Sequence, residues 1–279
     1  MPAYAYRIVN VFAETPLAGN PLAVFEDARG IDGATMQALA LQFNLSETTF
    51  ILPSEKANAH VRIFTPTFEM PFAGHPTLGT AHVVRDLVRA GDAVTLEMKA
   101  GIIPVSAAGD VWTLTANAPR HRAPTASPAE LAAMLGLAES DLAAAPPLWI
   151  DTGSEQLVIP LASVDAVRRA APRSDLMMKH GSNGQRAMAY LFAREGDHVT
   201  CRFFFPKFGA VIEDPGTGSA CANLGGWLLA TGAPLPQRLT LDQGAAVDRP
   251  CRLGLEVDTR RTIRVSGRVI ELGRGNVTF

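Results

Sequence analysis

Glu69-Met70-Pro71-Phe72-Ala73-Gly74-His75 returns as Glu213-Asp214-Pro215-Gly216-Thr217-Gly218-Ser219, so the pattern E-x-P-x-x-G-[HS] stands once in each half of a 279-residue chain, 144 positions apart. Each copy follows a β-type run that ends near a proline, at 61–64 before Pro66 and at 199–205 before Pro206. Each also opens a helix-like stretch. Strand, glycine turn and helix therefore occur twice. A small residue followed by a polar one at a helix start leaves backbone N–H groups unpaired, with the positive end of the helix dipole behind them. Two such ends facing each other would grip one small anion.

The runs around the two copies are short and β-like, at 4–12, 49–52, 94–98 and 111–115 in the first half. The second half continues in the same style at 157–160, 187–192, 199–205, 253–257, 262–265 and 277–279. Helical spacing is clear at Met36, Leu39, Ala40 and Phe43, a stripe that ends at Asn44, which tolerates the left-handed conformation of a helix terminator. The two repeat helices are expected over 76–90, with proline in the first turn and Gly91 just past the end, and over 220–231, ending at Gly232. Both are apolar enough to lie deep within their own halves. An Ala/Pro-rich stretch at 116–147 reads as the crossing between halves, which sets a division into 1–120 and 121–269. The tail, about 270–279, is expected to return as a strand to the first half. Within the crossing, Ser127-Pro128-Ala129-Glu130 carries a capping-box start, and Ser163 can cap a brief helix to Arg169.

Composition narrows the function classes. With 47% apolar residues the chain can form one large domain or two smaller ones, and the repeat favours two. Net charge is −2 and the basic residues are scattered, which argues against nucleic acid and for a small-molecule partner. No apolar run approaches a membrane span, and the opening residues alternate like a strand, so a soluble, cytoplasmic protein is expected. Cys201, Cys221 and Cys251 are odd in number and lack C-x-x-C spacing, against both a disulfide framework and a structural zinc site.

Three acid–base candidates stand near the repeats. Glu47 lies at a helix-to-strand junction, where a carboxylate is either solvated or chemically used. His75 starts the first repeat helix, where the dipole opposes positive charge and favours a neutral imidazole acting as a donor or proton relay. Asp214 precedes the second repeat helix and could orient a substrate amine, share a proton with His75 or organise the turn. Gly74, Gly218 and Ser219 suit donation to a carboxylate or enolate, with Ser219 adding a hydroxyl. The residues around Ser219 lack G-x-S-x-G spacing, which disfavours a serine hydrolase. Gly216 and Gly218 lack the third glycine of a dinucleotide fingerprint.

Four segments in order carry a family resemblance: Gly19-Asn20-Pro21-Leu22-Ala23-Val24-Phe25, Asn44-Leu45-Ser46-Glu47-Thr48, Pro71-Phe72-Ala73-Gly74-His75-Pro76-Thr77-Leu78-Gly79, and the second repeat through Ala220. With Gln243-Gly244 and Arg249-Pro250 near the end, the chain resembles the PhzF-like phenazine-biosynthesis isomerase family over nearly its whole length. The resemblance implies an α+β, diaminopimelate-epimerase-like fold: two pseudosymmetric halves, each a curved, mostly antiparallel β-sheet or barrel around a central helix, with the active site in the cleft between them. It also implies a homodimer and a cofactor-free isomerase that needs neither metal nor nucleotide and moves a proton between carbons of a small carboxylate-bearing ring. By motif, Glu47 takes the general acid–base role, His75, Asp214 and Ser219 match the polar groups around the substrate, and Gly74 and Gly218 supply amides to its carboxylate. Gly216 stands where the family commonly has alanine, which loosens the turn without removing a functional group.

Related epimerases on this fold use one thiol from each half, and the matching positions here are Ala73 and Thr217, which cannot act as such a pair. An amino-acid epimerase is therefore the second enzymatic reading, with Cys221 its nearest thiol. A non-enzymatic interaction module that retains the fold is the third.

Overall fold

The computed structural model describes residues 1–207 and 209–279. The chain forms two compact units, Met1–Thr115 with Ser266–Phe279, and Ala116–Val265. Both consist of short strands wrapped on one apolar helix, an α+β architecture.

In the first unit the elements run β1 (Ala3–Val11), β2 (Asn20–Phe25), α1 (Gly33–Phe43), β3 (Glu47–Leu52), β4 (Ala59–Phe64), β5 (Glu69–Met70), α2 (Gly74–Leu87), β6 (Ala93–Met98), β7 (Gly101–Ala108) and β8 (Val111–Thr115). The second unit holds β9 (Arg120–Arg122), α3 (Pro128–Met134), β10 (Leu148–Asp151), β11 (Glu155–Pro160), α4 (Val164–Arg169), α5 (Ser174–His180), β12 (Ala189–Glu195), β13 (His198–Lys207), β14 (Ala210–Asp214), α6 (Gly218–Ala230), β15 (Gln237–Gln243) and β16 (Cys251–Val257). The last strand, β17 (Ile263–Thr278), begins in the second unit and runs into the first.

The sequence repeat is a repeat of strand pairing. In the first unit β1 and β2 pair antiparallel, β2 and β3 parallel, β3 and β4 antiparallel, β4 and β5 antiparallel, then β4 and β6 parallel across α2, and β6 and β7 antiparallel. The second unit follows the same order with β10, β11, β12, β13, β14, β15 and β16, its second parallel crossing spanning α6. Parallel neighbours need a crossover: α1 lies in that between β2 and β3 and α2 in that between β4 and β6, as α4 with α5 and then α6 do in the second unit.

These helices are enclosed over the stretches that carry no Asp, Glu, Lys or Arg. Every residue from Gly74 through Ala81 of α2 is buried, as is every residue from Ala220 through Leu229 of α6. Helix α2 packs against β1, β2, β3, β4, β6, β7 and β8, and α6 against β9, β10, β11 and β16. Gly226 permits that approach: a Cβ there would lie 2.6 Å from Ile150 Cγ2 and 2.9 Å from Pro119 Cβ. Around the outside of the first sheet Phe25 stacks on Phe50 at 4.7 Å, and Phe50 meets Phe64 edge-on at 5.5 Å.

Helix α1 ends at left-handed Asn44 (φ 51°), and α3 begins with the full Ser127–Glu130 capping box, both as the sequence predicts. Helix α2 departs from expectation at both ends. It begins at Gly74, before Pro76, and stops at Leu87, because Arg89 takes the left-handed conformation (φ 52°) and the Ala90 N–H closes onto the Arg85 carbonyl at 3.0 Å. Gly91 is outside that closure. In α6 the same closure uses Gly232 (φ 74°), with the Ala233 N–H on the Leu228 carbonyl at 2.9 Å. The tail runs at 262–265 and 277–279 belong to one 16-residue strand, whose residues 269–278 pair antiparallel with β1 around a register shift at Ile8/Val9. Polar residues such as Arg268 and Arg274 hide that continuity in the sequence.

Candidate active site

In the first unit, β2 and β3 lie side by side in parallel with Leu22 opposite Glu47. The left-handed turn at Asn44 leads the chain into β3, so Glu47 is its first residue. Gly74 and His75 are the first two residues of α2, and no side chain caps Ala73 before them. Pro76 has no N–H, so the first-turn donors not used within the helix are those of Gly74 and His75. The hydroxyls of Thr49 and Thr80 meet at 2.8 Å, clasping α2 to β3 two residues beyond Glu47, on the same face of the strand.

This packing brings Glu47 and His75 together. His75 Nδ1 lies 3.5 Å from Glu47 Oε2, with the two side chains 6% and 16% exposed. The same nitrogen is 3.4 Å from the Asn20 side-chain amide at the start of β2. It can accept from Asn20 or donate to Glu47, according to which ring nitrogen holds the proton. Burial pushes the His75 imidazole down to about 3, against a smaller opposing interaction with the Pro21 backbone, so the ring is neutral near pH 7.

In the second unit, Asp214 ends β14, and Gly218 and Ser219 open α6. Thr217 donates its hydroxyl proton to Asp214 Oδ2. Gln243 holds the turn: its Nε2 donates to the Asp214 carbonyl at 2.8 Å and to Thr217 Oγ1 at 3.0 Å, while its Oε1 accepts from the Thr217 N–H at 3.3 Å. Of the roles open to Asp214, turn organisation is therefore visible within its own unit. Ser219 Oγ accepts from Gln156 Nε2 at 2.8 Å.

The acidic residue that begins each repeat has a structural use. Glu69 accepts both arms of the Arg62 fork at 2.7 and 2.9 Å, and Glu213 accepts the Arg202 fork, its shortest contact 2.6 Å. Each guanidinium also lies over a phenylalanine two residues ahead, Arg62 over Phe64 at 5.0 Å and Arg202 over Phe204 at 4.6 Å. The R-x-F before each E-x-P-x-x-G copy was the signal for this arrangement.

Gln156 and Asn223, linked to Ser219 by hydrogen bonds, lie outside the motifs that mark the site in the sequence. A readable signal existed: Asn223 interrupts an apolar helix, and Gln156 precedes Leu157-Val158-Ile159 in a buried strand. Cys221 is buried, its thiol pushed well above the usual range by desolvation, and Cys201 and Cys251 are buried and unpaired. A separate cavity of about 570 Å³ in the first unit is lined by Arg7, Arg85 and Arg274 among others. Its charges are matched internally, since Arg7 binds Glu26, Asp86 and Glu271. No helix among the described residues is long and apolar enough to cross a membrane.

Residues 9–275 match the sequence profile of the family described as phenazine biosynthesis-like protein (PhzC-PhzF). The chain is 41% identical over 288 residues to an uncharacterized isomerase of Pasteurella multocida, an alignment covering 98% of this chain and 94% of that one. It is 35% identical over 257 residues to the trans-2,3-dihydro-3-hydroxyanthranilate isomerase of Pseudomonas aeruginosa, with 90% and 89% covered. Among solved structures it is similar to the Bacillus anthracis phenazine biosynthesis protein of the PhzF family, with a TM-score of 0.89, 26% identity and both chains covered completely.

Proposed function

The chain belongs to the phenazine biosynthesis-like (PhzC-PhzF) family and is an isomerase, and we propose that it moves a carbon-bound proton of a small carboxylate-bearing cyclic or amino-acid-like substrate, with Glu47 as general acid–base. The observation that carries this reading is the Glu47–His75 contact, a carboxylate 16% exposed beside a buried imidazole at a helix start. A carboxylate withdrawn from bulk water, yet reachable, is suited to take a proton from carbon.

In the proposed reaction the C–H bond breaks toward Glu47, forming its O–H, and the electron pair spreads into the conjugated substrate. First-turn N–H groups at Gly74 and Gly218 with the Ser219 hydroxyl meet the negative charge and the carboxylate. Glu47 then returns the proton at a different carbon. Neutral His75 adjoins Glu47 and serves as its proton partner, and Asp214 fixes the turn that presents Gly218 and Ser219. Positioned proton transfer of this kind contributes roughly 10²- to 10⁴-fold in rate.

The P. aeruginosa relative's name supplies the first substrate to try, trans-2,3-dihydro-3-hydroxyanthranilate. In deuterated water the enzyme should place deuterium on a product carbon, and Glu47→Gln should remove that incorporation while leaving the fold intact. Cys221→Ala should keep it, because a fully buried thiol with a raised pKa makes a poor proton carrier. Loss in Cys221→Ala with retention in Glu47→Gln would reverse the assignment in favour of a thiol epimerase.

A further inference from the structure

The second unit contains a hydrogen-bond chain whose direction can be read from its fixed ends. Asn223, wholly buried on α6, is oriented by two backbone groups: Oδ1 accepts from the Thr152 N–H at 3.0 Å, and Nδ2 donates to the Ser154 carbonyl at 2.9 Å. Thr152 Oγ1 adds a second donor to Oδ1 at 2.7 Å. Neither backbone group can exchange roles, so the amide has one orientation. Its Nδ2 is then also the donor across the 2.8 Å contact to Gln156, which makes the facing Gln156 atom the carbonyl Oε1. Gln156 Nε2 is left against Ser219 Oγ, and an amide nitrogen only donates. Ser219 therefore accepts from the protein. Its single O–H has no acceptor among the described residues.

We propose that Asn223 and Gln156 are positioning residues that occupy one Ser219 lone pair and turn its O–H outward, so that the start of α6 favours a carboxylate over an uncharged amide of the same shape. This rests on the reading of that helix end as the place for the substrate's acid group. The first-turn N–H groups offer only hydrogens, and Ser219, with one lone pair taken by Gln156, turns its O–H away from that amide as a further donor. A carboxylate accepts at both oxygens, whereas a carboxamide must bring an N–H toward one of these donors. A polar group left unmatched in this way lowers affinity by roughly tenfold or more. Without the amide chain both Ser219 lone pairs are open and its O–H is free to rotate, so the hydroxyl accepts from a ligand N–H more readily.

The test uses the full-length protein with 2-aminobenzoate and 2-aminobenzamide, rings that differ only in the acid group, titrated by NMR. Wild type should bind the acid about tenfold or more tightly. Gln156→Met should erase most of that preference, and should have no further effect in a Ser219→Ala background, because Gln156 acts through that hydroxyl. Should Gln156→Met unfold, Gln156→Glu keeps the shape, draws the Ser219 O–H inward and should lower the preference below that of Ser219→Ala. If Gln156→Met lowers acid binding equally with and without Ser219, or leaves the preference unchanged, the proposal is overturned and the acid-group reading survives. If wild type binds neither probe, or both alike, the acid-group reading itself fails and the proposal falls with it.

Discussion

His75 Nδ1 stands 3.5 Å from Glu47 Oε2 while the imidazole is almost wholly buried. Proximity to a carboxylate would favour imidazolium, and removal from water favours the neutral ring. At 5% exposure burial prevails, holding the group down to about 3. The helix start adds to this, since the α2 dipole places its positive end there. A neutral imidazole places no buried cation beside Glu47, and its Nδ1 can offer the carboxylate a hydrogen bond when that nitrogen holds the proton.

The first prediction concerns pH. An unfolded histidine titrates near 6.5, so between that value and about 3 the unfolded chain binds a proton that folded His75 refuses. The His75 contribution to stability is fully present above 6.5 and is lost as pH falls toward 3, by at most about 1.4 kcal/mol per pH unit. His75→Gln should therefore flatten the stability profile between pH 6.5 and 4 relative to wild type, as measured by urea unfolding. The His75 ring resonances should show no titration near pH 6.5, and a midpoint there would refute the assignment.

The paired forks should differ in strength. Arg202 and Glu213 are 14% and 7% exposed, against 27% and 28% for Arg62 and Glu69. Arg202 Nη1 also donates to the carbonyls of Val167, Arg168 and Ala170 at 3.2, 3.1 and 2.7 Å, capping the end of α4. Removing one partner of a buried pair costs about 3 to 5 kcal/mol, whereas a more exposed pair contributes about 1 kcal/mol or less. Arg202→Met should thus lower the unfolding midpoint far more than Arg62→Met. Equal losses in denaturant melts would contradict this account.

Gly244 should prove intolerant of any side chain. Its φ is +80°, and a Cβ would lie 2.4 Å from the Pro215 carbonyl oxygen and 2.3 Å from that of Arg249. Gly244→Ala must displace the Asp214–Thr217 turn that Gln243 holds. A cost of about 1 to 3 kcal/mol is expected from the overpacking, with a fall in isomerase activity at temperatures where the variant remains folded. Gly91→Ala is the control, since nothing lies within 4 Å of its added methyl. Activity unchanged in Gly244→Ala would show that this turn does not govern the reaction.

The local sequence determined much of this protein: the twofold strand–turn–helix plan, the stop at Asn44, the Ser127 capping box and the apolar helices, because each depends on residues within a few positions of one another. It also singled out Glu47 and His75, through motif resemblance. Only the tertiary structure decided that Glu47 and His75 meet, that Glu69 and Glu213 serve arginine forks, and that Asn223 speaks to Ser219 through Gln156. Those contacts join side chains from separate strands and helices, and their direction is set by backbone groups such as the Thr152 N–H and the Ser154 carbonyl. A hydrogen bond needs both position and orientation within a few tenths of an ångström. Neither is encoded in spacing along the chain.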